Sequence, residues 1–326
     1  MTRYLHQVAV QEKAVSADGV EVFDLTVNPL SVVLLNIRPL NNTGTLADFA
    51  DYMAICDSLN RVSILLNGQS VVNAKGVDIA ALNYLRRGVI PREANDDNTD
   101  NERRCVTLPI FLGRMPFDSS SCLPASKRGE LVMELDIDVA DTGYDGFRYS
   151  VETIELPGAN PKEYERVSAI NKTFAATGDQ DFDLPPGSLY RGLMLWGTTP
   201  FVGASPAPSW GRVSLLADNM QEMYGATDFE SFFSLNSLLG RLPPSLGKHK
   251  HIITTDGNAQ VALATLVGPY GLSDGSALQN YGFLDLDPTR DDEFALDSSN
   301  FNSFRIRSTV ETADAVRVLP IERVKV

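Results

Sequence analysis

The sequence predicts an all-β protein made of two consecutive halves, with short helices inserted in the loops. Three observations predict it. Short apolar runs separated by turn residues dominate the chain. The few stretches with helical spacing do not alternate regularly with those runs, as they would in a parallel sheet. Segments of the second half also repeat segments of the first, in the same order and at a similar distance of about half the chain.

In the first half, strand-like runs fall at Val20 to Val27, Leu30 to Pro39, Arg61 to Leu66, Val106 to Leu112, Leu131 to Val139 and Phe147 to Leu156. The run ELVMELDIDVA alternates apolar and acidic residues, the mark of a strand with one wet face. NNTG at Asn41, NDDNTDN at Asn95 and DTGYDG at Asp141 supply turns between runs. Helical spacing appears from Thr45 (Leu46, Phe49, Met53, Cys56), from Asp78 (Ile79, Leu82, Leu85) and from Asp228 (Phe229, Phe232, Leu235, Leu239). Asp78 and Asp228 stand where an N-cap belongs, and Arg follows near the far end.

The repeat is carried by paired segments. RVSILLNGQSVVNAKGVDIAALNYLRRG from Arg61 matches RVSLLADNMQEMYGATDFESFFSLNSLLGR from Arg212. VVLLNIRPL ending at Leu40 matches YRGLMLWGTTP ending at Pro200, and FRYSVETIEL from Phe147 matches FRIRSTVETADAVRVL from Phe304. Arg61 with Arg212, Phe147 with Phe304 and Val151 with Val310 are therefore expected at equivalent places. The join is expected between Leu156 and Gly187, giving a first unit over 1–160, a linker over 161–186 and a second unit over 187–326. Antiparallel strands in this number pair as two sheets, so each half is expected to be a jelly roll.

Composition bounds the function. The 326 residues carry a formal net charge of −14, against direct nucleic-acid binding, which needs a surplus of Lys and Arg. The apolar runs are too short to span a bilayer, and MTRYLHQVAVQEKAV lacks the order of a signal peptide, so synthesis in a cytoplasm is expected. Cys56, Cys105 and Cys122 have no CxxC spacing and read as reduced thiols.

Sites for chemistry are few. KHKHIITTD puts His249 and His251 on one strand face, similar to the first motif of the cupins, but Asp256 replaces the usual Glu and His6 is the only other His. DLDPTRDD places Asp285, Asp287, Asp291 and Asp292 densely enough for Ca²⁺, without EF-hand spacing; the alternative is a wet turn. Asp136, Asp138 and Asp141 read as a wet strand face, and Arg103 with Arg104 as surface ion pairs. The sequence has no Gly-x-Ser-x-Gly elbow and no Walker or dinucleotide glycine pattern. No catalytic residue and no required cofactor is assigned. Trp196 and Trp210 flank TTPFVGASPAPSW and are interface candidates, the alternative being the core of the second barrel.

The duplicated segments from Arg61 and Arg212, the Phe-Arg…Val-Glu-Thr runs and LSVVLLNIRPLNNTGTLADF resemble, in architecture and repeat order, the double jelly-roll major capsid proteins of tailless icosahedral viruses, including membrane-containing bacteriophages. The resemblance implies two jelly rolls side by side in a homotrimer of pseudo-hexameric outline that tiles an icosahedral shell in the virion. Penton or minor capsid proteins and an internal membrane are further implied partners, with loops 86–105 and 241–251 as contact or tower candidates. Two other readings stay open: a carbohydrate- or receptor-binding β-sandwich using Tyr144, Tyr270 and Tyr281, and a bicupin-like metalloenzyme.

Overall fold

The computed structural model of the protein describes residues 3–41, 49–89, 102–139, 144–199, 208–218, 221–239, 252–255, 259–262, 278 and 280–326. The first half runs β1 (Leu5–Ala14), β2 (Gly19–Asp24), β3 (Leu30–Ile37), β4 (Leu40–Asn41), α1 (Phe49–Asp57), β5 (Leu59–Leu66), β6 (Gln69–Ala74), α2 (Gly76–Arg87), β7 (Val106–Phe111), β8 (Leu131–Ile137), β9 (Tyr144–Asp145) and β10 (Arg148–Glu155). Its long strands form two antiparallel arrays, β1-β10-β3-β7 and β2-β8-β5-β6. Alternation aims one face of each array inward: Val106, Leu108 and Ile110 of β7 share a core with Leu131, Met133, Leu135 and Ile137 of β8. Asn67 and Gly68 both have positive φ, +52° and +75°, as the two-residue hairpin between β5 and β6 requires.

The second half runs β11 (Glu163–Ser168), β12 (Ile170–Thr173), β13 (Gly178–Leu184), β14 (Leu189–Gly197), β15 (Arg212–Ala217), β16 (Gln221–Asp228), α3 (Ser231–Leu238), β17 (Ile252–Thr255), β18 (Ala259–Ala262), β19 (Tyr281–Asp285), β20 (Leu296–Asp297), β21 (Phe304–Val310) and β22 (Ala315–Lys325). The pairing of the first half recurs. β11 and β12 pair with β22, then β14, then β19, and a second array runs β13-β21-β15-β16. Around a second core sit Phe182, Leu193, Leu215, Phe304 and Val318. Each half is thus a jelly roll, with antiparallel pairing inside each barrel.

The barrels are joined through one sheet. β6 of the first pairs parallel with β11 of the second, Val167 with Val72 and Ser168 with Asn73. Because that pairing is parallel, the two barrels stand side by side with the same end up. The register then brings to one end, called upper here, the strand ends that bracket the long connections 38–58, 75–105, 198–211 and 229–280. The shorter connections 25–29, 67–68, 185–188 and 218–220 lie at the lower end, with 112–130 and 286–303.

Several expectations change. The stretch 161–186 is not a bare linker: β11, β12 and β13 occupy it. β13 escapes sequence reading because its face is acidic; Asp181 pairs with Arg305 and Arg307 of β21, and Asp179 accepts from Thr309. β1 was also unread, since nearly every residue of this edge strand is exposed and no alternation marks it. Asp78 lies inside the first turn of α2 rather than at its N-cap, which is Lys75. Asp228 closes β16.

The repeat holds for two of its three segment pairs. Arg61 of β5 and Arg212 of β15 lie on equivalent strands, as do β3 and β14. Phe147 precedes β10, whose counterpart is β22, whereas Phe304 opens β21, the counterpart of β8. The pairs Phe147/Phe304 and Val151/Val310 are therefore one strand out of step. Phe-Arg and Val-Glu-Thr suit any strand entering a barrel edge, and only the pairing order separates the two.

Candidate structural site at the junction of the two barrels

In β14, β19 and β22 the strands are apolar on both faces. Leu193, Leu195, Leu284 and Val318 point into the second core. Met194, Phe283, Leu319 and Ile321, on the opposite face, join the first core, where α2 packs on β19. This double burial explains why LYRGLMLWG reads as an unbroken apolar run instead of an alternating one. α2 is buried nearly all round, Ile79, Leu82 and Leu85 included, because it is wedged between the barrels.

Charged residues fix each end of the wedge. Near the upper end, Arg317 Nη2 donates to Asp78 Oδ1 at 2.6 Å and Tyr281 Oη donates to the same oxygen at 3.0 Å. The Arg317 guanidinium lies over Trp196, 4.2 Å from the ring centre. Burial pushes the Asp78 carboxyl up, opposed by Arg317 and Tyr281.

Toward the lower end the network is larger. Arg86, at the last turn of α2, grips Glu165 of β11 with two hydrogen bonds of 2.5 and 2.7 Å. Arg191, fully buried in β14, donates through Nε to Asp292 Oδ1 at 2.7 Å and through Nη2 to Asp292 Oδ2 at 3.1 Å. It also reaches Glu163 and, at 3.4 Å, Glu165. Asp292 further accepts from Arg323 at 2.8 Å and pairs with Arg114 of the first barrel. Burial would raise the Glu165 carboxyl, but Arg86, then Arg87 and Arg191, pull it down to about 2. Burial opposes ionisation of Asp292 too, yet Arg191 and Arg114 hold it far below the usual carboxylate range.

Presenting these groups strains the loop. Arg290 and Asp292 have φ of +62° and +66°, a left-handed conformation that costs on the order of 1 kcal/mol each. The small cavity beside Ile79, Arg86, Phe111, Glu165 and Val167 has room of ≈ 20 Å³, the space of one water.

The acidic loop is thus drawn into ion pairs. Asp285 and Asp287 are buried; Asp285 pairs with Arg290, and Asp287 lies 3.3 Å from Arg114. Asp291 turns outward and accepts from Thr289 and the Glu293 amide. Among the described residues no group of three or more His, Cys, Asp or Glu side chains is placed to hold a metal ion. His249, His251, Asp256, Asp141 and Tyr270 lie outside the described residues, as does most of loops 86–105 and 241–251.

Trp210 is fully buried, packs on Phe174 and Phe182, and donates its indole N–H to the Trp196 carbonyl at 2.9 Å. It is a core residue of the second barrel and offers no surface to a neighbour. Trp196 is half-buried under Arg317 at the junction. Tyr144 and Tyr281 are buried, so neither is a platform for sugars. Arg104 is buried rather than at the surface, and Arg103, half-buried, donates to the carbonyls of Arg38 and Gly146. Cys56 and Cys122 are buried free thiols, pushed up to about 12 and about 11 by burial. No helix among the described residues is long and apolar enough to cross a membrane.

Sequence reasoning missed Glu165, Arg191, Arg86 and Arg114. A signal existed: Arg191 interrupts the apolar run LYRGLMLW, and a charge there must be paired.

No family model matches the sequence, and no curated protein matches it. Solved structures do. The major capsid protein of Sulfolobus turreted icosahedral virus superposes with a TM-score of 0.66 at 12% identity, over 99% of this chain and 97% of that one. The major capsid protein of bacteriophage PM2 gives 0.65 at 10% identity, over 99% and 98%. The PBCV-1 virus capsid gives 0.60 at 11% identity, over 99% and 94%. From end to end, this chain has the double jelly-roll fold of viral major capsid proteins.

Proposed function

We propose that the protein is the major capsid protein of an icosahedral virus, a structural subunit resident in the virion shell. The observation that carries this reading is the match to capsid subunits over nearly their whole length as well as its own. A likeness confined to one barrel would fit any jelly-roll protein. The fixed junction supports the same reading, because a shell tile must transmit load between its two barrels without hinging. A net charge of −14 favours a partner other than bare nucleic acid.

Self-association into a trimer presents six similar barrels, so one gene fills a position with six neighbours, and heterologous contacts close after three copies. The long-loop end is the face free to vary, since its connections need not pack into the sheet. Penton proteins, minor capsid proteins and an underlying membrane are further partners in this reading. No catalytic or cofactor role is proposed. Electron microscopy of the purified protein tests it: pseudo-hexagonal trimers or closed particles are expected, and a monomer that neither trimerises nor tiles at high concentration would refute it.

A further inference from the structure

β1 and β11 hold the same place in the repeat, β1 beside β10 and β11 beside β22. They are held in opposite ways. β11 has a neighbour on both edges, β22 and β6, and its Glu165 and Val167 are buried, with Arg86 gripping the Glu165 carboxylate. Among the described residues β1 has β10 alone, and apart from half-buried Val10 every residue of it is exposed. Its seat is irregular as well: the register on β10 slips between Val8 and Val10 and again before Lys13, and Glu12 has a φ of +35°. Burial of apolar surface therefore does little to keep this strand on its barrel.

Besides the backbone pairing, charge holds it. His6 Nε2 lies 2.6 Å from Glu152 Oε2. Glu152 is fixed for that contact: its other oxygen accepts from Asn36 Nδ2 at 2.9 Å, and Asn36 accepts from Thr107 at 2.6 Å, so one line of hydrogen bonds crosses β1, β10, β3 and β7. Glu12 pairs with Arg148 at 3.2 Å and Arg38 at 3.9 Å, and its amide donates to Ser150. Lys13 pairs with Glu21 of β2, in the facing array. All of these ion pairs reach solvent, where salt screens them. Ahead of the strand the exposed Tyr4 ring meets exposed Phe117 edge-on. Directly after it Val15 is buried, and its amide donates to the Phe147 carbonyl.

We propose that β1 is a detachable strap, latched on β10 by these ion pairs and let go as pH and salt rise, with Val15 as its fixed end. Few other charges bear on His6. Arg3 and Tyr4 precede it on its own segment, and Glu155, opposite Leu5, is buried and bound to Asn28 and Thr153. In the loop beneath Tyr4, Asp118 is taken by Ser120, while β3 and β7 present the uncharged Asn36 and Thr107. The imidazole attracts Glu152 as a charge only while it carries its second proton. The latch is therefore strongest near pH 5 and is lost as pH rises toward 8, the interval in which histidine ordinarily changes charge. Release leaves β10 as the edge of its sheet, with its pairing to β3 intact.

The inference does not depend on the capsid reading, and its failure leaves that reading standing. Hydrogen exchange read by mass spectrometry on the full chain tests it, with intrinsic rates corrected and with peptides over 3–14 and 163–168 compared. From about pH 5 to about pH 8 the exchange of 3–14 should quicken about two- to fivefold, the range an exposed ion pair supplies. Raising ionic strength from about 0.05 M to about 0.5 M should quicken it further, because the ties are screened together. The 163–168 peptide, held by the buried Glu165, should respond to neither. His6→Gln, which keeps a donor but cannot charge, should exchange at both pH values as the wild type does at the higher one. His6→Arg, always charged, should stay protected at both. His6 is exposed, so native melting is expected in each variant. Exchange of 3–14 that ignores pH and salt, or that slows as pH rises, overturns the proposal, as does a pH response that survives unchanged in H6Q.

Discussion

Replacing Arg191 by Met tests whether the junction network holds the barrels together. Met keeps the length and apolar stem of the side chain but removes a guanidinium that is 0% exposed and touches Glu163, Glu165 and Asp292. Removing one partner of a buried pair costs about 3–5 kcal/mol, because the carboxylates left behind lose a countercharge where water does not replace it. For cooperative unfolding of all 326 residues, the unfolding entropy is roughly 0.7 kcal/mol per kelvin, so Tm should fall by about 4–7 °C. If one barrel unfolded alone, the entropy would be about half and the fall about 9–15 °C, with a second transition in the thermogram. The half-buried cluster of Asp181 with Arg305 and Arg307, still reached by solvent, is the control: D181N should cost about 1 kcal/mol. Scanning calorimetry gives both numbers. The reasoning on the junction is refuted if R191M lowers Tm no more than D181N does. A pH series adds a sign. Glu165 titrates near 2 in the folded protein against 4.5 when free, so its contribution is complete above about 4.5 and is lost as pH falls toward 2. R191M should flatten the loss of stability across that window, since one of the cations that depress Glu165 is gone.

Three further outcomes are expected. Gly113→Ala should cost several kcal/mol, or prevent folding, because a Cβ there would sit 1.8 Å from the Ser121 carbonyl oxygen; denaturant titration measures it, and a loss below about 1 kcal/mol would contradict the close approach. Trp210→Phe should destabilise by about 1–3 kcal/mol while leaving the assembly state unchanged, since it removes a buried hydrogen bond and core volume; dissociation of a trimer by this variant would return Trp210 to the interface. Neither EDTA nor millimolar Ca²⁺ should move Tm, because Asp285, Asp287 and Asp292 already face Arg290, Arg114, Arg191 and Arg323. Calorimetric heat on adding Ca²⁺ would revive the acidic loop as a cation site.

The all-β class and the duplication were legible because alternation and turn residues are local properties. β8 shows it, with ELDID buried and wet in strict turn, and so do β5 and β15, whose shared Arg-Val-Ser entry falls on equivalent strands. Local pattern failed where a strand's partner supplied its character. β13 carries aspartates satisfied by arginines more than a hundred residues away, and β1 is an exposed edge with no buried face to print an alternation. The Phe147 and Phe304 runs look alike yet occupy different strands, since which strand lies beside which is a property of the sheet. The candidate site was least legible of all. Asp285, Asp287 and Asp292 stand close enough in sequence to suggest a cation, but Arg114 and Arg191, from two other parts of the chain, supply the positive charge.

Sequence by itself determined two β-rich halves, an acidic chain and the presence of charges inside apolar runs. Tertiary structure alone decided that the halves share one sheet, that α2 is wedged between barrels, and that the charges meet. The physical reason is that hydrophobic periodicity records how much of a residue is buried, whereas a buried ion pair depends on which distant residue buries it.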